Sequence, residues 1–139
     1  MKVNIIGISK QQPNLYPGYQ NWTVARNYAS KVQFDRYYDL HARMHAGRVD
    51  SSKYFTESNL STDKIFAISK LGLTSTISWL IAQAITENAT AIKLTHINLK
   101  SPSHAHLAPG VSYWLGIALS RGIQISGNQN FVGTKLYGL

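Results

Sequence analysis

Short apolar runs alternate with longer stretches of helical spacing along this chain, and that order constrains its fold more than any other feature. "KVNIIGIS", at residues 2–9, is β-branched and apolar, as a strand buried on both faces must be. "KIFAISKLG", "TAIKLTHINL" and "IQIS" read as three further strands. Between them, "WTVARNYASKVQF" places Ala25, Tyr28, Ala29 and Val32 at helical spacing behind Asn21 as an N-cap, and the pattern runs on through "DRYYDLHARMHAG" toward Gly47. "TISWLIAQAITEN" is a helix capped by Thr74 or Ser75 and ended by Asn88, and "GVSYWLGIALSRG" is a helix opening at Pro109-Gly110 and closing at Gly122. Residues 48–63 read as irregular. Strands alternating with helices predict an α/β domain, a mostly parallel sheet flanked by helices on both faces in the flavodoxin-like or Rossmann-like manner.

In such sheets ligands lie at the carboxyl ends of strands, where loops meet helix N-termini. The candidate site therefore combines the loop around 9–22, the turn around 69–75 and the loop around 98–112. At 139 residues, 44% of them hydrophobic, the chain suits one domain over residues 1–139 with a single core. It has no linker, repeat or low-complexity segment. No cysteine is present, which removes disulfides, thiolate metal sites and a Cys nucleophile. The start lacks the long apolar core of a signal peptide, and "ISWLIAQAI" is too short to span a bilayer, so a cytoplasmic protein without membrane contact is expected.

Fourteen Lys and Arg against six Asp and Glu give a formal charge of +8, which suits an anionic partner, whether nucleotide phosphates or a polynucleotide. The acids are Asp35, Asp39, Asp50, Glu57, Asp63 and Glu87, and none follows Glu87. "SPSHAHLAPGVS" brings Ser101, Ser103, His104, His106, Gly110 and Ser112 to a helix start, where free amides and the helix dipole favour an anion. Gly110 would permit close backbone approach. Tyr16, Tyr19 and Trp22 follow the first strand and are candidates to stack on a base, with Lys10 and Arg26 as phosphate contacts; core or interface packing explains the same aromatics. His41 and His45 have the spacing of a zinc helix, but Ala42 stands where that pattern needs Glu, so no metal or other cofactor is expected. His104 and His106 suit phosphate contact or acid catalysis, whereas His96 reads as structural. Walker, GxGxxG and G-x-S-x-G patterns and the common nucleic-acid motifs are absent.

"APGVSYWLGIALSRGIQIS" resembles the closing segment of the nucleoside 2-deoxyribosyltransferase-like superfamily, which includes deoxynucleoside monophosphate N-glycosidases and small phage proteins. Gly110, Ser112, Tyr113, Leu115, Gly116, Ala118, Gly122 and Ile123 stand in that family's pattern. "SGNQNF" resembles the ending of some phage relatives, with Gln129 in place of their Arg. The match covers about a sixth of the chain. The resemblance implies a flavodoxin-like sheet, assembly into dimers or larger homo-oligomers, and a site for a nucleoside or nucleotide whose 5′-phosphate meets Ser112, with Ser101 and Ser103 beside it.

The family's nucleophilic Glu falls on Trp114. Indole can neither attack the anomeric carbon nor stabilise an oxocarbenium-like charge. Trp114 would instead close the pocket over the ligand or pack against another subunit. The expectation is thus a nucleotide binder without turnover that sequesters or senses its ligand, a role that fits a phage protein. Two alternatives stand beside it. One is an active deoxyribosyltransferase or nucleotide N-glycosidase with a relocated carboxylate, Glu57 or Asp63, or with His104 as an acid. The other is a basic module for nucleic acid or protein.

Overall fold

The computed structural model describes residues 1–8, 12–13, 15–40, 44–127, 133 and 136–138. Among the described residues six strands, all parallel, form one sheet: β1 (Lys2–Ile6), β2 (Tyr19–Val24), β3 (Arg36–Tyr38), β4 (Tyr54–Phe55), β5 (Ala91–Thr95) and β6 (Gln124–Ser126). Their order is β4-β3-β2-β1-β5-β6. Three α-helices among the described residues accompany them: α1 (Thr62–Ile68), α2 (Thr76–Thr86) and α3 (Ala108–Ser120). This is the α/β, flavodoxin-like (Rossmann-like) class, with a single reversal of strand order beside β1. No helix among the described residues is long and apolar enough to cross a membrane.

Strand alternation divides the sheet into two unlike faces. One face carries Val3, Ile5, Trp22, Tyr38, Ile92 and Leu94, and it packs with Ile65 of α1, Leu80, Ile81 and Ile85 of α2, and Val111, Trp114, Leu115 and Ala118 of α3 in one buried cluster. Each such side chain contributes about 1.5–3 kcal/mol by leaving water, so this layer holds the fold together. The opposite face is mostly polar: Lys2, Asn4, Tyr19, Asn21, Thr23, Lys93, Thr95, Gln124 and Ser126 alternate with the apolar set. Among the described residues Ile6, Ala25, Phe34 and Tyr37 form a small buried apolar cluster there, with Val32 and Val49 packed against it. Its buried polar groups bond to each other. Asn4 Nδ2 donates to Asn21 Oδ1 at 3.0 Å, and Thr95 Oγ1 donates to Asn4 Oδ1 at 2.6 Å.

That asymmetry corrects the expected layering. The buried apolar residues of all three α-helices belong to one face, and among the described residues no α-helix joins β1 to β2. The expected helix from Trp22 is instead strand β2 followed by a 3₁₀ turn, Ala25–Ala29, and Asn21 is a strand residue rather than a cap. Strands β3 and β4 occupy stretches read as helical and irregular. "KIFAISKLG" is not a strand; Lys64–Ile68 belong to α1. β1, β5, β6, α2 and α3 lie where expected, and Ser75 is the cap of α2.

At the start of β3, Arg36 lies over the Trp22 ring at 4.4 Å and the Phe55 ring at 5.0 Å. It reaches Glu87, just past α2, with two bonds of 2.7 and 2.9 Å. Burial opposes both charges, but the paired hydrogen bonds outweigh it, raising the Arg36 pKa and holding the Glu87 carboxyl below its ordinary range.

Candidate functional site

The strand order reverses at β1: the chain passes to β2 on one side and later returns to β5 on the other. Loops leaving the carboxyl ends of β1 and β5 therefore part, and a crevice is expected there. A cavity of about 460 Å³ occupies this position, within the roughly 300–1,000 Å³ of small-ligand sites. Gly7 and Ile8 follow β1, Val24 and Arg26 come from the end of β2, and Ser75, Thr76 and Ile77 form the start of α2. The stretch after β5 contributes His96, Ile97, Asn98, Leu99, His104 and Leu107.

The floor is fixed by backbone contacts. Gly7 N donates to Thr95 O at 2.9 Å, while Gly7 O accepts from Asn27 Nδ2 at 3.0 Å. A Cβ on Gly7 would overlap the His96 carbonyl oxygen, so the ends of β1 and β5 approach this closely only through glycine. His96 itself has φ +53°, a left-handed conformation uncommon for a side-chain-bearing residue.

One wall is the α2 N-terminus. Ser75 Oγ accepts from Ser78 N at 3.2 Å, and Ser78 Oγ accepts from Ser75 N at 3.1 Å, a reciprocal cap. The cap serves Ser78, so the amides of Thr76 and Ile77 have no intrahelical partner. Arg26 is exposed and has no hydrogen-bond or ion-pair partner among the described residues. His104 Nδ1 lies 3.0 Å from both Ser101 Oγ and Ser103 Oγ, which leaves Nε2 as the nitrogen open to a ligand. Cation, helix amides and imidazole thus meet an apolar body of Ile8, Val24, Ile77, Ile97, Leu99 and Leu107.

None of the six carboxylates lines this cavity. Asp35 accepts from Asn21 N, and Asp39 accepts from His45 N and the Tyr54 hydroxyl. Asp50 caps Ser52, whose amide and hydroxyl hold its carboxyl below the ordinary range, and Glu87 pairs with Arg36. Glu57 is exposed just past β4, which lies three strands, or about 14 Å, from β1. Asp63 starts α1, where Ser61 N donates to Gln83 Oε1, eight residues along α2 from its cap and so about 12 Å away. Asp63 lines a separate hollow with Lys64.

Of the residues singled out in the sequence, Arg26 and His104 reach the cavity, and Ser101 and Ser103 bind His104 from outside its lining. His106 is exposed in the 3₁₀ turn before α3 and does not line it. Ser112 is the fifth residue of α3, past the free amides of the first turn. Gly110 is buried, and its close approach is to Gly72 O and Thr74 Oγ1 within the chain. Tyr16 and Tyr19 sit by the polar face, with Tyr19 paired to Lys2 at the amino end of the sheet. Trp22 is fully buried in the core.

Trp114 is also fully buried, and its Nε1 donates to Leu71 O at 2.9 Å. It neither closes the cavity nor offers a surface to a partner, because the turn at 69–73 covers it. Lys10, His41 and Gln129 lie outside the described residues.

The residues missed were Gly7, Thr76 and His96. Thr76 stands just after a cap already legible in "TST", whereas Gly7 and His96 fall inside runs read wholly as strand and mark their true ends, after Ile6 and Thr95. Ser75, read only as a cap, is missed as well. No protein-family model, curated protein or solved structure matches this chain, and the site stands on its own geometry.

Proposed function

We propose that the cleft between β1 and β5 binds a small anionic ligand, a nucleotide or nucleoside phosphate, and holds it without breaking its glycosidic bond. The observation that carries this reading is a cavity offering Arg26, two open amides of α2 and His104, with no carboxylate in its lining. An anion gains charge-assisted hydrogen bonds there, and the apolar walls suit a sugar or base. Glycosidic cleavage needs a carboxylate or an equivalent stabiliser beside the anomeric carbon, and Trp114 supplies none. The role that follows is sequestering or sensing a nucleotide.

The test is a mass balance with pure protein and a mixture of nucleotides, deoxynucleotides and cyclic nucleotides, the retained and free molecules being identified by mass spectrometry. An intact nucleotide is expected on the protein, with no free base released. Arg26→Ala should weaken its affinity about 10- to 100-fold, the range for losing a hydrogen bond to a charged group. Free base accumulating in proportion to protein and time would overturn the non-catalytic reading. Unchanged affinity in folded Arg26→Ala would overturn the site.

A further inference from the structure

The net charge of this protein is unevenly placed. Residues 1–34 and 88–139 hold eight of the fourteen Lys and Arg and none of the six carboxylates, whereas residues 35–87 hold six of each sign. The first group builds β1, β2, β5 and β6, and the second builds β3, β4, α1 and α2. The strands β1, β2, β5 and β6 therefore come from segments that carry bases and no acidic side chains.

Over those strands the polar face of the sheet carries two lysine–tyrosine pairs that the cavity does not use. Lys93 Nζ lies 3.9 Å from the Tyr16 ring centroid, and Lys2 Nζ lies 5.7 Å from that of Tyr19. The two rings meet edge to face, with centroids 6.3 Å apart. Strand register sets two rows, Gln124, Ala91, Lys2 and Tyr19, then Ser126, Lys93, Asn4 and Asn21. Ala91, Asn4 and Asn21 are buried, so the accessible groups are the two lysines, the two tyrosines, Gln124 and Ser126. Lys2 and Gln124 are exposed, and Lys93, Tyr16 and Tyr19 are half-exposed. One carboxylate, Asp35, accepts from the Asn21 backbone in β2.

We infer that this face binds single-stranded nucleic acid. Phosphates meet Lys2 and Lys93, and a base stacks against the Tyr16 and Tyr19 pair, the combination by which single strands are held without sequence readout. The net positive charge of the chain adds long-range attraction. A duplex, whose bases are already stacked, gains only the charge contribution.

The test is fluorescence anisotropy of a labelled oligothymidylate of about 20 nucleotides with the full chain, between about 50 and 200 mM salt. Binding that weakens steeply with salt, and that exceeds binding to a duplex of equal length, is expected. Lys2→Gln with Lys93→Gln should cost about tenfold and make the log–log salt slope shallower by about 1.4. Lys53→Gln with Lys70→Gln, an equal charge change in the neutral segment, should cost less than about twofold.

Tyr16→Leu and Tyr19→Leu should each cost about fivefold or more, and Tyr16→Phe, which keeps the ring, should retain affinity. No binding at the lowest salt, a duplex held as tightly as the single strand, or equal losses from the two lysine pairs would overturn the inference. So would full affinity in both leucine variants.

Discussion

Gly7 shows how much of the site depends on one missing side chain. A methyl group there meets the His96 carbonyl, so Gly7→Ala must push β1 and β5 apart where the cavity has its floor. Overpacking of this kind costs about 1–3 kcal/mol, and chemical denaturation should read a loss in that range, with nucleotide affinity falling in the same variant.

Tyr38 offers a second, independent check on the core. Burial pushes its phenol up to about 12, against the opposing hydrogen bond from Arg36. A folded pKa above the unfolded value near 10 means stability that is complete below pH 10 and lost as pH rises through 12. The shift of about two units corresponds to roughly 2–3 kcal/mol. Wild-type protein should therefore lose that much stability across this window while Tyr38→Phe loses much less, which denaturation at stepped pH would read. Glu87 acts at the other end. Its depressed pKa gives stability that is full above the ordinary carboxylate range and lost as pH falls through its folded value, so Glu87→Gln should flatten the acid limb of the same profile.

Among the elements, α2 links stability to the site. Its cap, Ser75, binds Ser78 reciprocally and also lines the cavity. Ser75→Ala should lower stability by about 1 kcal/mol, a thermal melt being sufficient to see it, and should weaken the ligand because the first turn loses its fixed geometry. The same helix was legible in the sequence because a cap, a long apolar period and a terminating Asn88 agreed. β2 was not, because its outward residues Tyr19, Asn21 and Thr23 face a polar layer, leaving Trp22 and Val24 to merge with the apolar spacing of the turn behind them. α1 failed for the opposite reason. "KIFAI" is a short apolar run of the kind whose period cannot separate strand from helix, and only Ile65 of that run is fully buried. At the site, the strand-end rule named three segments. The loop around 98–112 supplies Asn98, Leu99, His104 and Leu107, the turn around 69–75 supplies Ser75 alone and follows a helix rather than the expected strand, and the loop around 9–22 supplies none of the described lining. The fold of 69–73 over Trp114 is a tertiary contact that no local pattern carried.

For the molecule as a whole, the sheet's central strand obtains its two neighbours at very different times. β1 pairs with β2 after 17 residues of intervening register, Lys2 against Tyr19, but with β5 only after 89, Lys2 against Ala91. At synthesis rates of about 5–20 residues per second, β1 waits roughly 4–18 seconds for its second partner. During that interval the apolar side of β1, Val3 and Ile5, has neither α2 nor β5 to cover it. The nascent chain thus passes through a period of exposed hydrophobic surface set by topology alone, and its dependence on chaperones during translation should exceed what the stability of the finished fold would suggest.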